Sequence, residues 1–325
     1  MSEPTRVAIA CQGGGSHTAF TAGVLKGLLP ELEPEYELVG LSGTSGGAIS
    51  AFAAWNGICL GGPDVARERL DSVWADIAAR SPPERLSNSW LQWGTSLRAQ
   101  GAPLPEISPY HLPVAALGQR KLRRVIERNI EIRRCRWLLD RTDTPELVIG
   151  TVNVNTGRFE TFVDGEITVE ALLASAAVPN LFPAVEIDGQ YHWDGLFSQN
   201  PPVRDLMRVE RDRRPEELWI IQINPQTRKG EPRTVEEIGD RRNELSGNIS
   251  LNQELRVIEQ VNEWVAEGYL PEEHFAHTEI RRIAFEERLG YVSKLDRRWT
   301  FISDLIERGE QQADDFLAAL PISER

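Results

Sequence analysis

Two strand–glycine–helix passages follow one another within the first 57 residues, and they constrain the fold more than any other feature of the chain. The first runs from the apolar "RVAIAC" (6–11) through "QGGGSH" into "TAFTAGVLKGLLPEL" (18–32), where Phe20, Val24, Leu25, Leu28 and Leu29 share one helical face. The second runs from "YELVGLSG" into "GGAISAFAAWNG" (46–57), a helix of small residues that the sequence ends near Gly57. Short apolar strands alternating with helices predict a mainly parallel sheet covered on both faces, which makes the fold class α/β, a three-layer sandwich.

Later segments fill in that plan. Residues 64–145 carry mostly helical patterns, broken by "RSPPERLSNSW" and "GAPLPEISPYHLP", and are read as a helical insertion. Strand character returns over 146–165, where Asn155-Thr156-Gly157 predicts a hairpin turn. A short helix from Thr168 leads to a turn-rich stretch, 179–202, then a strand over 217–225 and a largely helical remainder, 236–325. There is no internal repeat, low-complexity segment or long linker, so a single domain over 1–325 is expected.

The formal charge of −13 on 325 residues argues against nucleic-acid binding, which needs a basic surface, and disfavours adsorption to anionic lipid. One basic stretch, residues 119–137, sets Leu122, Val125, Ile126 and Ile130 at helical spacing. It is read as a core-packed amphipathic helix with a solvated basic face, with a membrane-touching helix as the alternative. Trp90 and Trp93, with Leu91 and Leu97, are read as packing inside the insertion, with a lid or lipid-facing patch as the alternative. No apolar run approaches the length of a membrane span, and the start lacks the pattern of a signal peptide. Cys11, Cys59 and Cys135 are too few and scattered for a disulfide framework or a zinc site, so a cytoplasmic protein with buried thiols is expected. Asp314-Asp315 and Glu216-Glu217 have no metal-ligand spacing; no metal and no cofactor are expected.

Ser45 stands in Gly43-Thr44-Ser45-Gly46-Gly47, where the second strand meets its helix. Such a turn is tight, and glycines around the serine leave its hydroxyl projecting above the sheet beside a helix N-terminus. By itself the pentapeptide is equally a Gly-Ser loop. Gly13-Gly14-Gly15 presents uncovered N–H groups suited to an anion. A nucleotide phosphate does not fit, because no Gly-Lys-Ser/Thr closes the loop and Thr18 replaces the last glycine of the dinucleotide fingerprint. The remaining anion is the oxyanion of acyl transfer, to which each N–H contributes on the order of 3 kcal/mol.

With Asp194-Gly195 downstream, these motifs resemble those of the patatin-like phospholipase family. "ASAAVPNLFPAV" (174–185) and "NPPV" (200–203) also resemble its segments, and the likeness spans residues 6–224 in order. The resemblance implies that Ser45 is the nucleophile, that Asp194 is its base, and that no histidine takes part. It implies an oxyanion hole built on Gly13, Gly14, Gly15 and Gly46. At two positions the sequence departs from the family pattern: His17 and Thr18 stand where an Arg or Lys and a Gly usually follow the glycines. His17 is expected as a hydrogen-bond donor or pH-dependent charge in the loop, and Thr18 as a restraint on positive φ.

Away from that context Asp-Gly is an ordinary turn dipeptide, and Trp193 and Phe197 are the apolar residues expected to wall it. A Ser-Asp-His triad is the rival, since His274 and His277 follow in a permitted order; His111, His192, His274 and His277 are read instead as packing or surface residues. The stretch 240–255 suggests no chemistry. The expected activity is hydrolysis of a fatty acyl ester through an acyl-Ser45 intermediate. By resemblance the substrate is a phospholipid, lysophospholipid or neutral ester, met through a transient membrane or micelle contact. Another esterase, thioesterase or polyester depolymerase, and a non-catalytic lipid binder, are the alternatives. Oligomeric state is left open.

Overall fold

The computed structural model describes residues 3–105, 107–131, 144–207, 214–271 and 274–320. Eight strands form one sheet: β1 (Thr5–Cys11), β2 (Tyr36–Gly43), β3 (Glu146–Asn153), β4 (Phe159–Val163), β5 (Val185–Ile187), β6 (Gln190–Asp194), β7 (Glu217–Gln222) and β8 (Glu279–Ala284). Parallel pairing runs β3-β2-β1-β7-β8, while β4 and β6 lie antiparallel to β3 and β5 pairs with β6. Strand periodicity sorts side chains to two cores. Val7, Ile9, Leu147, Ile149, Trp219 and Ile221 face one core, and Ala8, Ala10, Val148, Leu218 and Ile220 face the other.

The first core is covered by α1 (Ala19–Leu28), α2 (Gly46–Gly61), α3 (Pro63–Ile77) and α8 (Trp299–Ala319). The second is covered by α7 (Val235–Ala266) through Leu251, Leu255 and Ile258. Thr234 caps α7 by accepting from Glu237 N–H while Glu237 accepts from Thr234 N–H. The remaining α-helices among the described residues are α4 (Pro82–Ala99), α5 (Pro113–Asn129) and α6 (Val169–Ser175).

The edge of β3 brings distant segments together. Val148 and Ile149 pair with β2 and also with β4, and Thr151 and Val152 pair with β4 and also with β6. A strand has two edges, so β2 and β6 share the edge opposite β4. They run toward each other and end at Gly43, opposite Ile149, and at Asp194, opposite Thr151. Two positions along a strand are roughly 7 Å, which is the offset between the two strand ends.

Two expectations are corrected, for the end of α2 and for the tryptophans, and two gain detail. Helix α2 continues past Gly57 to Gly61, because Gly57 is a packing residue at which the backbone of Ala66 in α3 comes close, and not a stop signal. The turn-rich stretch 179–202 contains a hairpin, β5–β6, joined by Asp188 and Gly189, both at positive φ. In the remainder expected to be largely helical, "EIRRIA" forms the edge strand β8. Trp90 and Trp93 are not packed inside: they are 62% and 57% exposed, their rings in edge contact with each other. In the basic stretch, Val125, Ile126 and Ile130 are buried while Arg120, Arg124 and Arg128 are exposed; its residues 132–137, Cys135 among them, lie outside the described residues. Cys11 is a buried free thiol, and Cys59 is half-buried.

Gly57→Ala is expected to lower stability by about 1–3 kcal/mol although alanine is the better helix former, because the added methyl meets the Ala66 backbone. Urea unfolding measures this, and a stabilised variant would refute the close α2–α3 packing.

Candidate active site

Ser45 has φ 57° and ψ −128°, a conformation that non-glycine residues rarely hold. Its neighbours hold it there. Ser45 N–H donates to Ser175 Oγ at 3.0 Å, and Ser175 Oγ–H donates to Gly150 O at 2.8 Å. Thr44 N–H donates to Cys11 O, and Thr44 Oγ1–H donates to Gln199 O at 2.7 Å. Glycine is required at position 43, where a Cβ would stand 2.7 Å from Ala48 N.

Asp194 ends β6 with its N–H on Ala177 O, and its Oδ1 accepts from Leu196 N–H at 2.8 Å. The side chain is buried, and among the described residues Oδ2 has no hydrogen-bond partner. Burial pushes the carboxyl up to about 7; the Leu196 N–H, the nearby Ser45 hydroxyl and the charge of Lys294 each pull it down. The Ser45 hydroxyl is thus near enough to favour the carboxylate. Of the two apolar residues expected beside Asp194, Phe197 is exposed and Trp193 half-buried. The enclosure of Asp194 comes from the backbone: a Cβ on Gly195 would lie 2.5 Å from Gly150 O and 2.9 Å from a Thr44 methyl.

The glycine loop lies against the serine. A Cβ on Gly13 would stand 3.0 Å from Ser45 Cβ, and one on Gly46 would strike Thr18 Oγ1. Among the described residues, the N–H groups of Gly14, Gly15 and Gly46 have no acceptor. Gly13 differs from the expectation, since its N–H donates to Asn200 Oδ1 at 2.7 Å and is used up in holding the loop.

The profile of the patatin-like phospholipases matches residues 9–207, well over half of the chain. The chain belongs to the patatin-like phospholipase family. Its fold is similar to that of VipD from Legionella pneumophila, with 11% identity, a TM-score of 0.46, and coverage of 98% of this chain and 67% of that one. It is also similar to ExoU in its complex with SpcU from the type III secretion system of Pseudomonas aeruginosa, with 14% identity, a TM-score of 0.37, and coverage of 97% of this chain and 51% of that one. The chain therefore spans about two thirds of the length of the first and half of the second. No curated protein matches it.

Membership places this chain among lipid acyl hydrolases and gives meaning to its two departures in the loop. Thr18 does not restrain a positive φ: its φ is −72°, and its hydroxyl donates to Gly15 O at 2.6 Å, tying off the loop. His17 turns away from the serine into a buried nook, where its Nε2 meets Ser293 Oγ at 2.8 Å and its ring faces Phe285 and Phe301. Burial and the neighbouring Lys294 depress its pKa to about 3 against an opposing pull from Asp296, so it carries no charge at neutral pH.

Beside the loop stands a cation that the sequence reading missed. Lys294 packs against Gly15 and turns its ammonium inward to Asn224 Oδ1 (2.7 Å) and Asn243 Oδ1 (2.5 Å), with no ion pair among the described residues. Burial lowers its pKa to about 8, while Glu244, Asp240 and Asp194 act in the opposite direction. Other supports were equally invisible in the sequence. Gln12 donates to Asn248 Oδ1 and Gly247 O, and accepts from the N–H groups of Ile223 and Asn224. The stretch 240–255, which suggested no chemistry, thus helps to hold the loop. No local pattern marks contacts between residues more than 200 positions apart.

The histidines lie elsewhere. His277 is exposed beside Glu279 at the start of β8, whereas Ser45 follows the end of β2; in a parallel sheet these are opposite margins, roughly 20 Å apart along six residues of strand. His274 and His111 are exposed, and His192 is buried with its Nε2 on Glu160 Oε2 at 2.9 Å. Among the described residues, no cluster of His, Cys, Asp or Glu is arranged to hold a metal ion, and no helix is long and apolar enough to cross a membrane.

A carboxyl raised from 3.8 to about 7 by folding costs stability above pH 7, and that cost shrinks as pH falls from 7 toward 4. Asp194→Asn is therefore expected to unfold at higher urea at pH 8, by up to about 4 kcal/mol, with the gain fading toward pH 4. A variant less stable than wild type at pH 8 would show that the carboxylate is not strained by burial.

Proposed function

We propose that the protein hydrolyses fatty acyl esters of phospholipid, lysophospholipid or neutral lipid type through a Ser45–Asp194 dyad within one hydrolase domain. The observation that carries the proposal is the pairing of a serine in a strained strand–helix turn with a buried carboxylate whose Oδ2 has no partner other than that serine nearby. Ser45 Oγ attacks the ester carbonyl carbon as its proton passes to Asp194 Oδ2. The negative charge gathers on the former carbonyl oxygen, facing the N–H groups of Gly14, Gly15 and Gly46, the last at the N-terminus of α2. Asp194 returns the proton to the departing alcohol. Water, giving its proton to Asp194, then attacks the acyl-serine, and the fatty acid leaves as Ser45 recovers its hydrogen.

A carboxylate near pKa 7 is a far stronger base than an exposed aspartate, which is how a dyad manages without imidazole. Lys294 moderates that basicity, and its ammonium, held by Asn224 and Asn243 behind the loop, adds positive potential in a region where His17 supplies none. The acidic surface of the chain favours zwitterionic or neutral lipids.

A fluorophosphonate probe should add one adduct to the intact mass of wild type and of His277→Ala, and none to Ser45→Ala, whose esterase activity should fall roughly 10³-fold or more. A wild type without adduct would leave a lipid binder as the better account, and loss of reaction in His277→Ala would restore the triad. The pH profile of kcat/KM should rise with an apparent pKa of about 7, since the base acts as carboxylate. Lys294→Met removes a charge that favours the carboxylate, so the rise should move to higher pH, and Lys294→Arg should move it back. An unmoved profile would exclude Lys294 from the electrostatics of the site.

A further inference from the structure

Helix α4 presents an apolar stripe to solvent. Leu86, Trp90, Trp93 and Leu97 recur at i, i+4, i+7 and i+11, one face of a helix. The first three are exposed and Leu97 is half-buried, while the only fully buried residue of α4 is Asn88. That is the reverse of a helix packed on a protein core. Between Arg85 and Arg98 the helix contains no charged residue at all. Helix α5 continues the same character: Val114 and Leu117 are exposed in its first half, followed on that face by Arg120 and Arg124.

The charge of this region sets it apart. Residues 85–124 hold six Arg and Lys and a single Glu, in a chain whose formal charge is −13; Lys121 and Arg123 are ion-paired to Glu84 and to Glu127 and Glu170, and the exposed cations of the region are Arg85, Arg98, Arg120 and Arg124. A second copy would bring this cationic surface against its own like, which disfavours self-association. Exposed tryptophans and leucines bordered by arginines match the apolar and phosphate layers of a phospholipid surface.

The stripe is also tied to the catalytic residues. Asn88 donates to Leu295 O and accepts from Arg297 N–H, bracketing the segment whose Lys294 lies on Gly15. From the other side, Gln119 of α5 donates to Pro183 O and Tyr110 OH accepts from Ala184 N–H, in the loop that follows Ala177 and its bond to Asp194.

We propose that α4 and the first half of α5 form the surface by which this protein docks on a phospholipid bilayer, with Trp90 and Trp93 entering the interface. The proposal deepens the hydrolase reading by naming how the lipid is met. Its test uses Ser45→Ala protein and phosphatidylcholine vesicles with a minor fraction of phosphatidylglycerol, so that binding is read without turnover. Ser45→Ala should sediment with the vesicles and its tryptophan emission should shift to the blue. Adding Trp90→Ser and Trp93→Ser should weaken partition about tenfold or more and remove most of the shift, since Trp55, Trp74 and Trp219 stay buried and the exposed Trp264 and Trp299 lie outside the stripe. Adding Arg120→Glu and Arg124→Glu instead should weaken partition severalfold at low salt and little at high salt. Absence of sedimentation, or equal partition with and without the tryptophans, would overturn the proposal. So would a dimer in size-exclusion chromatography that the tryptophan substitutions dissociate, because the stripe would then belong to a second copy. Each of these failures leaves the fluorophosphonate result unaffected, so docking and catalysis stand or fall separately.

Discussion

The edge of β3 that receives two strands end to end is the constraint on which the site depends. β2 arrives parallel and stops at Gly43; β6 arrives antiparallel and stops at Asp194, two β3 positions further on. Each strand end must turn out of the sheet, since the other blocks its path. The turn after β2 is the positive-φ elbow of Ser45, and the turn after β6 is the short 3₁₀ segment capped by Asp194. Ser45 and Asp194 are therefore brought to one place along the same edge of β3 by strand pairing. Ser175 joins the two halves, holding the Ser45 N–H while bonded to Gly150 of β3.

Burial does two opposed things at Asp194. It removes water that would solvate the carboxylate, raising basicity toward that needed to take a serine proton, and it costs folding free energy at the pH where the enzyme would work. An adjacent ion pair would reverse the first effect by holding the carboxylate ionised and weak. Lys294 sits between these extremes. Its ammonium is bound by two neutral asparagine oxygens, so its charge reaches Asp194 through space without being cancelled by a contacting carboxylate. His17 takes no part in this balance, because a buried imidazole beside a lysine stays neutral.

What the sequence made legible was local. Glycines gathered around Ser45 and at positions 13–15 mark tight turns, and steric need at a turn leaves a compositional trace within five residues. Apolar runs in β1, β2, β3 and β7 were readable because both faces of those strands are buried. β8 was not, since as an edge strand it carries Arg281 and Arg282 among its apolar residues, and β5, at three residues, is too short to show a period. Asp188-Gly189 did carry the turn signal of a hairpin, but the alternation before it, Val185-Glu186-Ile187, is only three residues long. Trp90 and Trp93 were misplaced for a different reason: large aromatics are usually buried, and only the three-dimensional position of Asn88 shows which face of α4 points inward.

The family profile ends at residue 207, yet the glycine loop is completed by residues beyond it. Gln12 is held by Ile223, Asn224, Gly247 and Asn248, and Asn200 by Gly247 and Ser250. Gly15 is covered by Lys294. A loop of three glycines has large conformational freedom to lose, and N–H groups that must stay free for a ligand cannot fix it by bonding to the protein. The restraint has to come from neighbouring side chains and from packing behind the loop, which is where α7 and the segment before α8 lie. The C-terminal third is thus a physical part of the support of the glycine loop, with Lys294 packed against Gly15.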